Sequence, residues 1–168
     1  IRKFPGGFED IVRTVSTLPG IAMNADQGRN DLIVRGGGPS ENLYIVNNLE
    51  IPNINHFGSQ GGGSGTLAFI NLDFVENIDF STGGFSSRYG DKMSSVMELK
   101  LAEGRADRMG GKATISATRY GAHIEGPISE NGRFVFSARK SYLDIIFEAA
   151  GLPFVPVYRD YNFIYSHN

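Results

Sequence analysis

Residues 30–52, NDLIVRGGGPSENLYIVNNLEIP, constrain the fold more than any other stretch. Leu32-Ile33-Val34 and Leu43-Tyr44-Ile45-Val46 are aliphatic, β-branched runs of strand length, separated by Gly36-Gly37-Gly38-Pro39. Asn47-Asn48 then divides the second run from Leu49-Glu50-Ile51-Pro52. A two-residue hairpin turn needs positive φ, which Asn tolerates, so this tail reads as a tight hairpin. A chain committed here to strand, loop and hairpin must find further sheet partners elsewhere.

The partners lie downstream. Residues 75–82 read as a strand with Ile78 and Phe80 on one face. Residues 93–101 read as another, with Met97, Leu99 and Leu101 on one face and Glu98 and Lys100 on the other. Between them Gly83-Gly84-Phe85-Ser86-Ser87-Arg88-Tyr89-Gly90 is a turn-rich connector. Upstream, Phe8, Ile11, Val12, Val15 and Leu18 share one helical stripe. Glu9 and Asp10 are favoured in the first turn by the helix dipole, and Pro19-Gly20 stops the helix. A short helix is predicted over 67–73. Residues 24–31 form a polar loop, and residues 53–66 a long loop ending in Gly61-Gly62-Gly63-Ser64-Gly65.

These motifs carry a family resemblance. The run Ile33-Val34-Arg35-Gly36, followed by a strand, a short turn and Pro52, resembles the plug domain of TonB-dependent outer-membrane receptors. So does the opening Pro5-Gly6-Gly7 with its helix and Leu18-Pro19-Gly20-Ile21. The segment from Val75-Glu76 through Arg88-Tyr89-Gly90 to Ser94-Ser95-Val96-Met97-Glu98-Leu99 is similar to the plug's closing segment. The resemblance implies an α+β plug: a small mixed β-sheet with one or two helices, followed by antiparallel opening strands of an incomplete β-barrel. The expected domains are 1–103 for the plug and 104–168 for the first barrel strands.

Residues past the charged, glycine-rich 103–110 change texture. Residues 112–125 alternate loosely, with a break expected at Gly121 and a stop at Gly126-Pro127. Ser129-Glu130-Asn131-Gly132 reads as a turn, and 133–139 as a strand with Phe134, Phe136 and Ala138 on one side. Leu143, Ile146 and Phe147 predict a short helix over 141–150, and 158–165 is an alternating aromatic strand. Such strands carry the alternating signature of membrane barrels, but a closed barrel needs at least about 8 of them. The chain opens at Ile1-Arg2-Lys3 without an initiator Met and is expected to be processed or part of a longer one.

Catalytic and cofactor chemistry finds no support. The glycine tracts lack both the Gly-Lys-Ser/Thr ending and the Gly-x-Gly-x-x-Gly spacing of nucleotide loops. Ser64 stands outside a nucleophile elbow. His56, His123 and His167 have no ligand spacing, and the chain has no cysteine to help them. Residues 24–35 place Arg35 where a calcium loop needs its bidentate Glu. The net charge of −2 recruits no nucleic acid. We therefore expect no enzyme, no cofactor and no resident metal.

The resemblance instead implies a gate. Pro39, Ser40 and Glu41, with Asn53, Asn55, His56, Phe57, Ser59 and Gln60, fall in loops that face the substrate vestibule in the family. Arg35, at the end of an apolar strand, is expected to half-bury its stem and to want a carboxylate. Its partner is expected within the domain, or by resemblance on the barrel, and Arg88 poses the same choice. The implied partners are the inner-membrane TonB complex, acting through a segment outside this stretch, the barrel, outer-membrane lipid and a transported small molecule or oligomer. The implied location is the Gram-negative outer membrane, the plug inside the barrel lumen and open to the periplasm. A separate plug-like subunit that occludes another barrel is the alternative, and a soluble binding module a weaker one.

Overall fold

The computed structural model describes residues 10–24, 30–56, 58, 67–116, 119–142 and 157–167. The chain divides into two compact units, residues 1–101 and 102–168.

The first unit is built on a four-stranded mixed sheet. β3 (Asn42–Val46) turns through Asn47-Asn48 into antiparallel β4 (Leu49–Ile51), with both asparagines at positive φ, 47° and 66°. This is the expected hairpin. β8 (Ser95–Leu101) lies parallel to β3 on its other side, and β7 (Val75–Ser81) runs antiparallel to β8, for the order β4-β3-β8-β7. Two smaller pairs complete the unit: β1 (Ile21–Asn24) with β2 (Asp31–Val34), and β5 (Asn55–His56) with β6 (Leu67–Ala68).

Tyr44, Met97 and Leu99 from one face of the sheet join Leu32, Val34, Ile54 and Ile70 in one core. Helix α1 (Ile11–Val15) adds Ile11, Val12 and Val15. Leu43, Ile45 and Val96 on the other face are covered by Phe85 and Tyr89 of the connector. The alternation in these strands thus buries both faces, which explains why β3 reads as a continuous apolar run.

Three expectations are corrected here. The helix is five residues long, and Asp10 is its N-cap, accepting from the Val12 and Arg13 amides, so the carboxylate lies ahead of the first turn. Leu18, expected on the buried stripe, is 42% exposed beyond the helix, and Phe8 lies outside the described residues. Residues 67–73 form β6 and a 3-10 turn (Leu72–Phe74) capped by Asn71 in place of a helix, because the Ala68 amide is drawn to Asp10 Oδ2 at 2.9 Å.

The second unit is one antiparallel sheet ordered β12-β11-β10-β9, not closed among the described residues. Its strands are β9 (Gly110–Ile115), β10 (Arg119–Pro127), β11 (Gly132–Ser141) and β12 (Arg159–His167). The expected break at Gly121 is absent. Gly121 is mid-strand opposite Arg139, where a Cβ would come 2.8 Å from the Ala138 carbonyl oxygen, and the chain reverses instead between Ile115 and Arg119. Ser141 belongs to β11, and the rest of the helix expected over 141–150 lies outside the described residues apart from Tyr142.

Candidate functional site

Strand direction decides which loops meet. β3 begins at Asn42 and pairs in parallel with Ser95 of β8, while β4 returns to that end at Ile51 and β7 arrives there at Ser81. The segments 35–41, 52–53 and 82–94 therefore gather at one end of the sheet. The Asn47-Asn48 turn and Leu101 occupy the other.

That loop end is tied by side chains. Asn42 donates from Nδ2 to the Leu32 carbonyl at 2.7 Å and accepts the Ser95 hydroxyl at 2.7 Å, joining β2, β3 and β8. Ser94 donates to Glu41 Oε2 at 2.7 Å, and Lys92 Nζ donates to the Ser40 carbonyl at 2.9 Å. The Ser94 hydroxyl and the Gly38 backbone hold the Glu41 carboxyl below the usual carboxylate range, because both favour the charged form. A Cβ at Gly37 would collide with the Ser94 hydroxyl and the Glu41 carboxylate, so this turn needs glycine.

The predicted site residues divide. Pro39, Ser40 and Glu41 form a 3-10 turn at the loop end, with Ser40 exposed. Asn53 accepts from the Asn55 amide at 2.9 Å in a side-chain turn. Asn55 is buried, donating to the Asn30 carbonyl and accepting from Asn30 Nδ2, so its amide is committed inside the unit. His56 is half-buried, edge-on to Phe69 at 5.9 Å. Phe57, Ser59 and Gln60 lie outside the described residues.

Arg35 departs from expectation. The chain turns there at φ 50°, which swings the residue out of the strand and leaves it exposed, with no ion pair among the described residues. Arg88 is exposed as well, its guanidinium 5.3 Å from the Tyr89 ring centre, while Tyr89 donates to Glu98 Oε2 at 2.9 Å. That donated proton raises the Tyr89 phenol above its ordinary value. By sequence Tyr89, Ser94 and Glu98 stand only within the closing motif and Lys92 not at all, and none of their contacts is foreseen. Their signal was only their place in a connector next to a strand.

The second unit presents a surface of another kind. Strand register puts Ile115, Tyr120, Ala122, Ile124, Phe134, Phe136, Ala138, Tyr161, Phe163 and Tyr165 on one face. This face is open: Tyr161 is 70% exposed, Phe163 63% and Ile115 84%. The alternate face carries Lys112, Arg119, His123, Glu125, Ser137, Arg139, Asp160 and Asn162. There Ser137, Arg139 and Asp160 are buried, and Arg139 Nη2 pairs with Asp160 Oδ2 at 2.7 Å. The exposed face is mainly aromatic and aliphatic, with Lys140 and Arg159 at one end, whereas the other face, which also carries Val135 and Ile164, encloses an ion pair. That polarity is the reverse of a water-soluble sheet and matches a wall with lipid on its outer side. β10, β11 and β12 have 9, 10 and 9 residues, the length a tilted membrane-crossing strand requires.

Comparison with known proteins bears on both units. A family model described as TonB-dependent Receptor Plug Domain matches residues 4–96. A crystal structure of a mutant ferric enterobactin receptor from Pseudomonas aeruginosa, in complex with enterobactin, is similar with a TM-score of 0.57 and 19% identity. The match covers 79% of this chain and 22% of that one, so the chain spans about a fifth of the solved receptor's length. No curated protein matches the chain.

Proposed function

Because this chain belongs to the TonB-dependent receptor plug family, we propose that residues 1–101 gate an outer-membrane importer whose wall begins in residues 102–168. One observation carries the reading. An ordinary apolar-core unit is followed in the same chain by a sheet with its aromatic face exposed and its ion pair enclosed. A soluble binding module has no use for that second sheet, and a free-standing plug does not need to carry it.

In this reading the outer face meets outer-membrane lipid, and β9 and β12, the two edge strands, pair with further strands of the same barrel. The plug fills the lumen and stops passive leakage. The inner-membrane TonB complex supplies the pull that opens it. The cargo is a scarce nutrient: a siderophore, as in the solved neighbour, or a glycan or peptide. The Pro39–Glu41 turn, Asn53 and His56 are the described candidates for touching it. Arg35 and Arg88, exposed on the plug, are the candidates for pairing with carboxylates of the wall. The ligand loops select cargo and the arginines hold the plug in place.

The test uses the native full-length product. A protein several times heavier than this chain, shifting on a gel when boiled, is expected of a closed outer-membrane barrel. Uptake of labelled candidate cargoes by cells carrying it should then stop when TonB is deleted. A water-soluble product that does not shift on heating would overturn the wall assignment, and uptake indifferent to TonB would overturn the gate.

A further inference from the structure

The exposed face of the second unit ends in charge at one rim only. Lys140 of β11 and Arg159 of β12 are direct partners in the strand register, and Tyr120 of β10 is the partner of Lys140 on its other side. The row Tyr120–Lys140–Arg159 therefore crosses three strands just past Ala138 and Tyr161, where the aromatic band stops. The opposite rim of this face closes on Phe134, Tyr165 and His167, without a lysine or arginine.

Like charges set directly across a strand pair repel, since their β-carbons stand only about 5 Å apart. No carboxylate relieves this pair, for neither Lys140 nor Arg159 makes an ion pair among the described residues. Asp160, next to Arg159 in the chain, is turned to the other face and committed to Arg139 at 2.7 Å. Arg159 is exposed and Lys140 half-buried. Beside them Tyr142 donates to the Ser116 carbonyl and stacks on Tyr120, ring centres 6.4 Å apart and planes 15° from parallel. Cations beyond an apolar band, their stems laid along it and an aromatic edge alongside, suit the level where lipid tails give way to headgroups. The longest connection of the sheet, residues 142–158, leaves from this rim, whereas residues 128–131 turn the chain at the other. Long loops of membrane barrels lie on the outer side and short turns on the periplasmic side, so the cations stand at the outer leaflet.

We propose that Lys140 and Arg159, beside the Tyr120–Tyr142 stack, bind the phosphate monoester of an outer-leaflet lipid. The proposal rests on the wall reading and adds to it the headgroup chemistry and the residues that hold it. A phosphate monoester carries about −1.5 to −2 charge near pH 7, which matches two cations, whereas a diester carries a single charge. Arg159 can offer two parallel donors to phosphate oxygens, and Lys140 a point charge. The shared anion turns the repulsion between them into a common attraction.

The experiment places the full-length receptor in bilayer discs of phosphatidylcholine with a small share of phosphatidic acid, a monoester, or of phosphatidylglycerol, a diester. Native mass spectrometry then counts the lipid that stays bound on release into detergent. Phosphatidic acid should be retained in excess of phosphatidylglycerol. Lys140→Gln or Arg159→Gln should weaken its retention about fivefold, and the two together roughly thirtyfold. Lys140→Arg should preserve it, and so should Lys112→Gln, which removes a charge from the other face. Salt should release the lipid from the unaltered receptor, a readout that needs no variant, while inorganic phosphate should not displace it. Undiminished retention by the double variant, equal retention of the two lipids, indifference to salt or displacement by inorganic phosphate would each overturn the site. A product that fails to enter the discs overturns the wall and the site together. A receptor that enters and retains no phosphatidic acid overturns the site alone.

Discussion

Arg139 and Asp160 face each other across β11 and β12, their Nη2 and Oδ2 atoms 2.7 Å apart and both side chains all but sealed from solvent. A guanidinium in such a place needs its carboxylate more than the carboxylate's charge helps the fold, because the desolvation cost is already spent. Asp160→Ala should therefore destabilise the wall by about 3–5 kcal/mol. The temperature at which the full-length receptor loses its compact gel mobility reads this directly. Replacing both residues by leucine should recover much of the loss; an equally unstable double variant would count against the account.

Tyr44 predicts an alkaline effect in the plug. Its side chain is 1% exposed and its hydroxyl has no hydrogen-bond partner among the described residues. Burial pushes the phenol up to about 12 from its ordinary 10, with nearby Asn42 opposing only in part, since the Asn42 amide nitrogen is committed to Leu32 and Pro39. A folded value raised above the unfolded one contributes stability that is complete below about pH 10 and lost as pH rises toward about 12. The loss should approach about 2–3 kcal/mol. Tyr44→Phe should abolish this dependence. At neutral pH it should also stabilise the plug by about 1 kcal/mol, because an unpaired buried hydroxyl is removed. Denaturant melts at about pH 8, roughly 2 units below the phenol's ordinary 10, and at about pH 11.5, between that value and the raised one, compare the two proteins.

Glu41 predicts the opposite sign. Its carboxyl is held low by the Ser94 hydroxyl and the Gly38 backbone. It contributes stability above its ordinary 4.5, which is lost as pH falls through the lower folded value. Ser94→Ala should move the Glu41 titration back up toward 4.5, followed by the carboxyl carbon signal in a selectively labelled receptor. An unmoved titration would show that the hydroxyl does not set it.

The two turn asparagines should behave differently. Asn47 Oδ1 accepts from the Leu101 amide at 2.8 Å, whereas Asn48 serves the turn through its φ of 66°. Asn48→Gly should be neutral or stabilising by up to about 0.5 kcal/mol, since Asn-Gly suits this turn. Asn47→Gly should cost about 1 kcal/mol through the lost cross-strand bond. Thermal melts of the two variants settle the order.

The parts of the fold that sequence made legible are those where local chemistry and tertiary demand agree. The β3–β4 hairpin follows from Asn47-Asn48, and β7 and β8 follow from alternation that the core uses directly, as at Met97 and Leu99. The failures mark long-range bonds. No window around residues 67–73 contains Asp10, yet the Asp10–Ala68 bond makes part of that stretch a strand. Gly121 reads as a breaker, but its missing side chain answers to Ala138 and Arg139 on the neighbouring strand. At the candidate site the loops were placed by motif, whereas the inward turn of Asn55 and the outward swing of Arg35 depend on partners and a backbone angle that spacing does not carry.

The exposed row of Tyr161, Phe163 and Tyr165 has a consequence for how the chain matures. The first unit hides its apolar groups and can fold in an aqueous compartment by ordinary collapse. The second cannot, because collapse in water would turn its aromatic face inward and its Arg139–Asp160 pair outward. The two halves of one polypeptide therefore ask for different solvents.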